Sequence, residues 1–101
     1  MHQCGAANVQ ATRAAYAAAG VPAAVIISGG FRETGPAGMA PEDQILDTAR
    51  RSGLRIVGPN SLGVMSPVSG LNATCAATSA RAGHIAFISQ SGALCNAVID
   101  W

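Results

Sequence analysis

Short unbroken apolar runs alternate with amphipathic stretches along the chain, and Gly or Pro marks each change of pattern. Residues 6–19, nearly continuous Ala with Val9, Arg13 and Tyr16 at helical spacing, predict a helix. Gly20 supplies its left-handed stop and Pro22 follows. Residues 23–28 (AAVIIS) form a β-branched apolar run ended by Gly29 and Gly30, the pattern of a strand buried on both faces. After a Gly/Pro-rich loop, Pro41 suits a first helical position, with Glu42 and Asp43 behind it on the favourable side of the helix dipole. Ile45, Leu46 and Ala49 make the inward stripe, Arg50 and Arg51 suit the last turn, and Gly53 ends the helix. Residues 54–57 (LRIV) predict a second strand, closed by Gly58, Pro59 and Asn60. Helix, strand, helix, strand with short connections is the order of a doubly wound parallel sheet. Residues 68–83 have no clear period and many small polar side chains, which predicts a linker between two units. Residues 85–89 (IAFIS) predict a third buried strand, leading through Gln90, Ser91 and Gly92 into a helix carrying Leu94, Val98 and Ile99.

Composition sharpens this picture. Half of the residues are apolar and only 4% aromatic, so the core is built from Ala, Val, Ile and Leu, as in parallel strands covered by Ala-rich helices. A net charge of +1 with no charge run gives no footprint for nucleic acid or an anionic membrane. Cys4, Cys75 and Cys95 are odd in number and lack a CxxC spacing, which suggests reduced thiols, with no metal site or disulfide framework. No apolar run has the length of a membrane span and no signal peptide is visible, so a cytoplasmic location is expected. The chain opens on a helix where a dinucleotide-binding unit opens on a strand, and it closes inside an apolar helical pattern; both ends read as cut.

Three loops follow strands, where open parallel sheets bind ligands. Ser28, Gly29, Gly30 and Phe31 read either as a plain turn or as a backbone that approaches a ligand closely. In 58–63 (GPNSLG), Pro59 stiffens a turn that offers Asn60 and Ser61 at its apex, again structural or functional. Ser89, Gln90, Ser91 and Gly92 carry a strand into a helix whose first N–H groups stabilise an anion, although Ser91 can equally be a simple cap. Arg32 and Glu33 read as a solvated loop edge, His2 as part of a disordered terminus, His84 as a surface histidine, and Cys95 as a small core residue. No paired carboxylates, Ser/His/Asp set or metal-ligand cluster stands out in the sequence.

Taken together, AVIISGGFRETGPAG, GLRIVGPNSLGVMSP, GLNAT and HIAFISQSGALCNAVIDW resemble the NDP-forming acyl-CoA synthetases, which include ADP-forming acetate–CoA ligases and the α subunit of succinyl-CoA synthetase. The resemblance covers residues 21–101, and the pair GPNSLG and SQSGAL is its most specific part. It implies an α/β chain in which residues 1–67 form a partial Rossmann-like CoA-binding domain and 68–83 a linker. Residues 84–101 would then be the first strand and helix of a flavodoxin-like ligase domain. The implied reaction interconverts acyl-CoA, phosphate and ADP with acid, CoA and ATP through an acyl phosphate and a phosphohistidine.

By the same resemblance Ser28, Gly29 and Gly30 match a loop that touches CoA, and Asn60 and Ser61 match a turn near its thiol end. In that second turn the succinyl enzymes commonly carry cysteine in place of Ser61. Residues Ser89, Gln90, Ser91 and Gly92 match the helix N-terminus that receives the phosphoryl group. Asn96 falls where the succinyl enzymes place a substrate-contacting tyrosine, which points towards an acetate-like acid. The phosphohistidine matches no residue of this chain, and ATP or ADP with Mg2+ belongs to an ATP-grasp domain or β subunit outside it. Two other readings stay open: the CoA-binding part of a fusion to a GNAT acetyltransferase, and a truncated chain with no function of its own.

Overall fold

The computed structural model describes Ala15, Tyr16 and residues 18–101. Most of the helix expected over 6–19 lies outside the described residues, but positions 15, 16 and 18 are helical. The stop falls where expected: Gly20 has φ 67°, and the Val21 amide reaches back to the Tyr16 carbonyl at 3.2 Å. Contacts divide the chain into two compact units, one up to Ser61 and one spanning Leu62–Trp101.

The first unit is an α/β arrangement of β1 (Ala23–Val25), a 3-10 turn (Arg32–Thr34), α1 (Pro36–Ser52) and β2 (Arg55–Val57). β1 and β2 are parallel, with Ala23 opposite Arg55, Ala24 opposite Ile56 and Val25 opposite Val57. The Ile26 amide extends the ladder by donating to the Val57 carbonyl at 2.9 Å. A parallel pair needs a crossover, and α1 provides it.

Helix α1 starts earlier than expected. Pro36 takes the first position, where a missing N–H costs nothing, and Pro41 lies inside the helix, leaving the Ala37 carbonyl without its i+4 donor. The early start follows from packing: Gly38 is buried so close to the preceding loop that a Cβ there would lie 1.7 Å from the Phe31 carbonyl oxygen. The end is as expected. Gly53 adopts φ 70°, donating to Ala49, and Leu54 donates to the same carbonyl at 3.0 Å.

Among the described residues the core of this unit is Phe31, Ile45, Ala49 and Leu54, with Phe31 fully enclosed. Two expectations are corrected here. Leu46, assigned to the inward stripe, is 45% exposed. The strands are not buried on both faces: in each, only the middle residue is sheltered, and Val25 and Val57 remain open. A two-stranded sheet has too little width to bury both of its faces. Ile45, Leu46 and Ala49 of α1, with Leu54 and Ile56, line an open groove of about 350 Å³.

The second unit begins with an antiparallel hairpin. β3 (Gly63–Ser66) and β4 (Leu71–Thr74) pair Gly63 with Thr74 and Ser66 with Leu71, joined by a 3-10 turn (Pro67–Ser69) and Gly70. β4 therefore lies within the stretch 68–83, expected to be a linker without a clear period. The GLNAT sequence has a local reason for its shape, since the Asn72 side chain accepts from the Thr74 amide at 3.2 Å and from its hydroxyl at 2.7 Å. Residues 85–89 do not form the expected strand, and Ile85 and Ile88 are about fully exposed (94% and 95%). Strand geometry needs a neighbour to take its N–H and C=O groups, and no described segment pairs with this one. α2 (Gly92–Ile99) follows, shorter than its apolar pattern, with Asp100 as its cap.

Candidate functional site

The turn after β1 and the turn after β2 meet at the carboxyl ends of their strands. The Asn60 amide donates to the Ser28 carbonyl at 2.9 Å, and the Ser61 hydroxyl donates to the Ile26 carbonyl at 3.1 Å. Two features of the second turn make this contact possible. Gly58 has φ 104° and packs with no room for a side chain, since a Cβ would stand 2.2 Å from the Ile26 oxygen. Asn60 has φ 52°, a left-handed conformation that asparagine tolerates better than most residues. The Gly58–Pro59 peptide is cis.

Ser28, Gly29, Gly30, Asn60 and Ser61 are thus brought into one cluster, with Gly29, Gly30 and Asn60 exposed. A Cβ on Gly29 would lie 3.4 Å from Asn60 Oδ1 and 2.8 Å from Glu33 Oε1, so only glycine leaves this approach clear.

Arg32 and Glu33 are exposed, as expected of a solvated loop edge, and they also clamp the first turn from two sides. The Glu33 carboxylate accepts from the Gly30 amide and, at 3.2 Å, from the Phe31 amide. Hydrogen bonding from the Gly30 amide foremost, then from its own amide and from Phe31, holds the carboxyl below its ordinary range. Arg32 turns the other way, donating through Nε to Glu42 at 3.0 Å and through its guanidinium to Asp43 at 2.8 Å. Its own amide also donates to Glu42, at 3.0 Å. The sequence did contain a signal for Glu33: an acid within three residues of a Gly-Gly turn has free amides to accept from.

Ser89, Gln90, Ser91 and Gly92 belong to the second unit. The Ser91 hydroxyl accepts from the Leu94 amide at 3.3 Å, which makes it the N-cap of α2, while Ser89 Oγ accepts from the Ser91 amide at 3.0 Å. Gln90 and Ser91 are exposed, so this helix start opens to solvent. The Gly92 and Ala93 amides lie in the first turn, where no earlier carbonyl can take them. Asn96, four residues beyond Gly92, shares its face of the helix and is exposed. Cys75 and Cys95 are free thiols. Among the described residues no group of His, Cys, Asp or Glu is placed to hold a metal ion, and no helix is long and apolar enough to cross a membrane.

No family model matches the chain. Individual proteins do. ADP-forming acetate–CoA ligase I of Archaeoglobus fulgidus is 43% identical over 81 residues, 80% of this chain and 12% of that protein. The α subunit of ADP-forming acetate–CoA ligase II of Pyrococcus furiosus is 49% identical over 75 residues, 74% of this chain and 16% of that protein. Among solved structures, the dinucleotide-forming acetyl-coenzyme A synthetase 1 of Ca. Korarchaeum cryptofilum, in complex with phosphate and ADP, superposes with a TM-score of 0.88 at 35% identity. That match covers 96% of this chain and 20% of the other. The chain spans a fifth or less of the length of each of these proteins. Over the stretch they share, sequence and fold agree, and the chain belongs to the NDP-forming acyl-CoA synthetase superfamily.

Proposed function

We propose that this chain is the part of an acetate–CoA ligase-like enzyme that holds CoA and receives a phosphoryl group. The parent reaction converts ATP, a short acid and CoA into ADP, phosphate and acyl-CoA, or runs in reverse, through an acyl phosphate and a phosphohistidine. The observation that carries the reading is the 2.9 Å bond joining Ser28 to Asn60, which puts the two loops of the resemblance at one place beyond the strand ends. Ser28, Gly29 and Gly30 form one wall of the CoA site, and Asn60 and Ser61 the wall near its thiol.

The start of α2, from Ser89 to Gly92, supplies amides and a helix dipole for the phosphoryl group carried by the histidine. Asn96 faces the acid in place of the succinyl enzymes' tyrosine, which suits a smaller acyl group. Residues 84–101 open the flavodoxin-like domain, with 68–83 joining it to the CoA-binding domain of residues 1–67. ATP or ADP with Mg2+ binds on an ATP-grasp partner, as a fused domain or a β subunit, and the assembly works in the cytoplasm.

The test is a titration of CoA into the isotopically labelled 101-residue chain, followed by amide NMR. Signals of Ser28, Gly29, Gly30, Asn60 and Ser61 should move together, while those of the β3–β4 hairpin stay still. Unmoved signals in the two loops at millimolar CoA would remove the proposal. Incubated alone with ATP, acetate and CoA, the chain should release no ADP.

A further inference from the structure

The backbone amides after β1 are already taken. Gly30 and Phe31 direct their N–H groups at one oxygen of Glu33, a pair of donors that would otherwise make a small anion site. The same carboxylate lies over the Gly29 apex, so close that even a methyl group on Gly29 would press on it, and the Asn60 carboxamide borders that apex from the other turn. A negative charge therefore stands where the two loops meet. The local cation does not cancel it, because Arg32 is committed to Glu42 and Asp43 of α1.

We infer that Glu33 is a specificity residue: it keeps phosphates off the first turn and leaves the junction of the two loops to an uncharged, hydrogen-bond-donating portion of the ligand. This rests on the CoA reading, and within that molecule it names the amide-bearing pantetheine arm, whose N–H groups meet the acceptor oxygens of Glu33 and Asn60. The phosphates lie elsewhere. An ionised carboxylate beside an approaching phosphate is a like-charge contact, which acts against the wrong portion of the ligand more than it favours the right one.

Amide NMR on the 101-residue chain tests this with three probes: CoA, pantetheine and inorganic pyrophosphate. Pantetheine should move the Gly29 and Asn60 signals in the same directions as CoA does. Pyrophosphate should leave Gly30 and Phe31 unmoved in the natural chain. In Glu33→Ala, which frees both amides, pyrophosphate affinity at those positions should rise about tenfold. Glu33→Gln keeps an acceptor on the two amides without its charge, and should retain the natural pattern of loop signals.

A measurement on the unaltered chain stands apart from the variants. Glu33 has a lowered pKa in the folded loop, so its contribution is present above the ordinary carboxyl value and is lost as pH falls through the folded one. The charged groups facing this segment are Arg32 beside it and Glu42 and Asp43 on α1. The Gly30 and Phe31 amide signals should follow one carboxyl titration with a midpoint below the usual range. Pyrophosphate binding at Gly30 and Phe31 in the natural chain, or amides indifferent to that titration, overturns the inference. If CoA and pantetheine move nothing while pyrophosphate and the titration behave as stated, the CoA reading fails and the anion-excluding role of Glu33 stands.

Discussion

Phe31→Ala will unfold the first unit. Among the described residues Phe31 is the one large side chain that is wholly enclosed, and Ile45, Ala49 and Leu54 are the other buried apolar ones. Removing a buried phenyl ring costs about 3–5 kcal/mol, comparable to the entire stability of a domain this small. The damage also reaches the loop directly, because the Phe31 carbonyl accepts from the Thr34 amide at 2.9 Å and from its hydroxyl at 2.7 Å. Circular dichroism in urea reports the result: the natural chain should show a transition that the variant lacks, with CoA binding lost alongside it. A variant melting within about 1 kcal/mol of the natural chain would mean the core lies elsewhere.

Gly58→Ala should take apart the site while sparing most of the fold. An alanine at φ 104° is strained, and its Cβ would stand 2.2 Å from the Ile26 oxygen, so the second turn must withdraw. Withdrawal stretches both bonds that hold the loops together, the one from Asn60 to Ser28 and the one from Ser61 to Ile26. Calorimetric titration with CoA should show a loss of at least about tenfold, the effect of one misplaced hydrogen-bonding loop. Gly92→Ala is the matched control, since its new methyl would meet nothing nearer than Leu62 Cβ at 3.8 Å. Equal binding by the Gly58 and Gly92 variants would refute the paired-loop site.

Much of this was legible in the residues themselves. Stops at Gly20 and Gly53 need only the left-handed preference of glycine, and the Ser91 cap needs only a hydroxyl ahead of an apolar helical run. β1 and β2 showed as apolar runs, although the first strand keeps only Ala23–Val25 of the expected 23–28, and their order with α1 between them implied a parallel pair. Features decided by distant partners stayed hidden. Glu42 and Asp43 were assigned to the helix dipole, yet they pair with Arg32, ten and eleven residues earlier. Pro41 looked like a helix start because the close approach of Gly38 to Phe31, which sets the true start, leaves no local mark. The run 85–89 has strand composition without strand structure, because pairing depends on a neighbour and not on the run's own apolarity.

The back-to-back clamps of Arg32 and Glu33 give the loop tethers of unequal sensitivity to electrolyte. The outer tether is an exposed pairing of full charges, and at 1 M ionic strength the screening length falls to about 3 Å. The inner tether is a set of directed bonds from peptide N–H groups, in which geometry counts for more than bare charge. Concentrated salt should therefore part the Arg32 guanidinium from Glu42 and Asp43 before it speeds hydrogen exchange at the Gly30 amide, loosening the loop's hold on its helix while its inner curl persists.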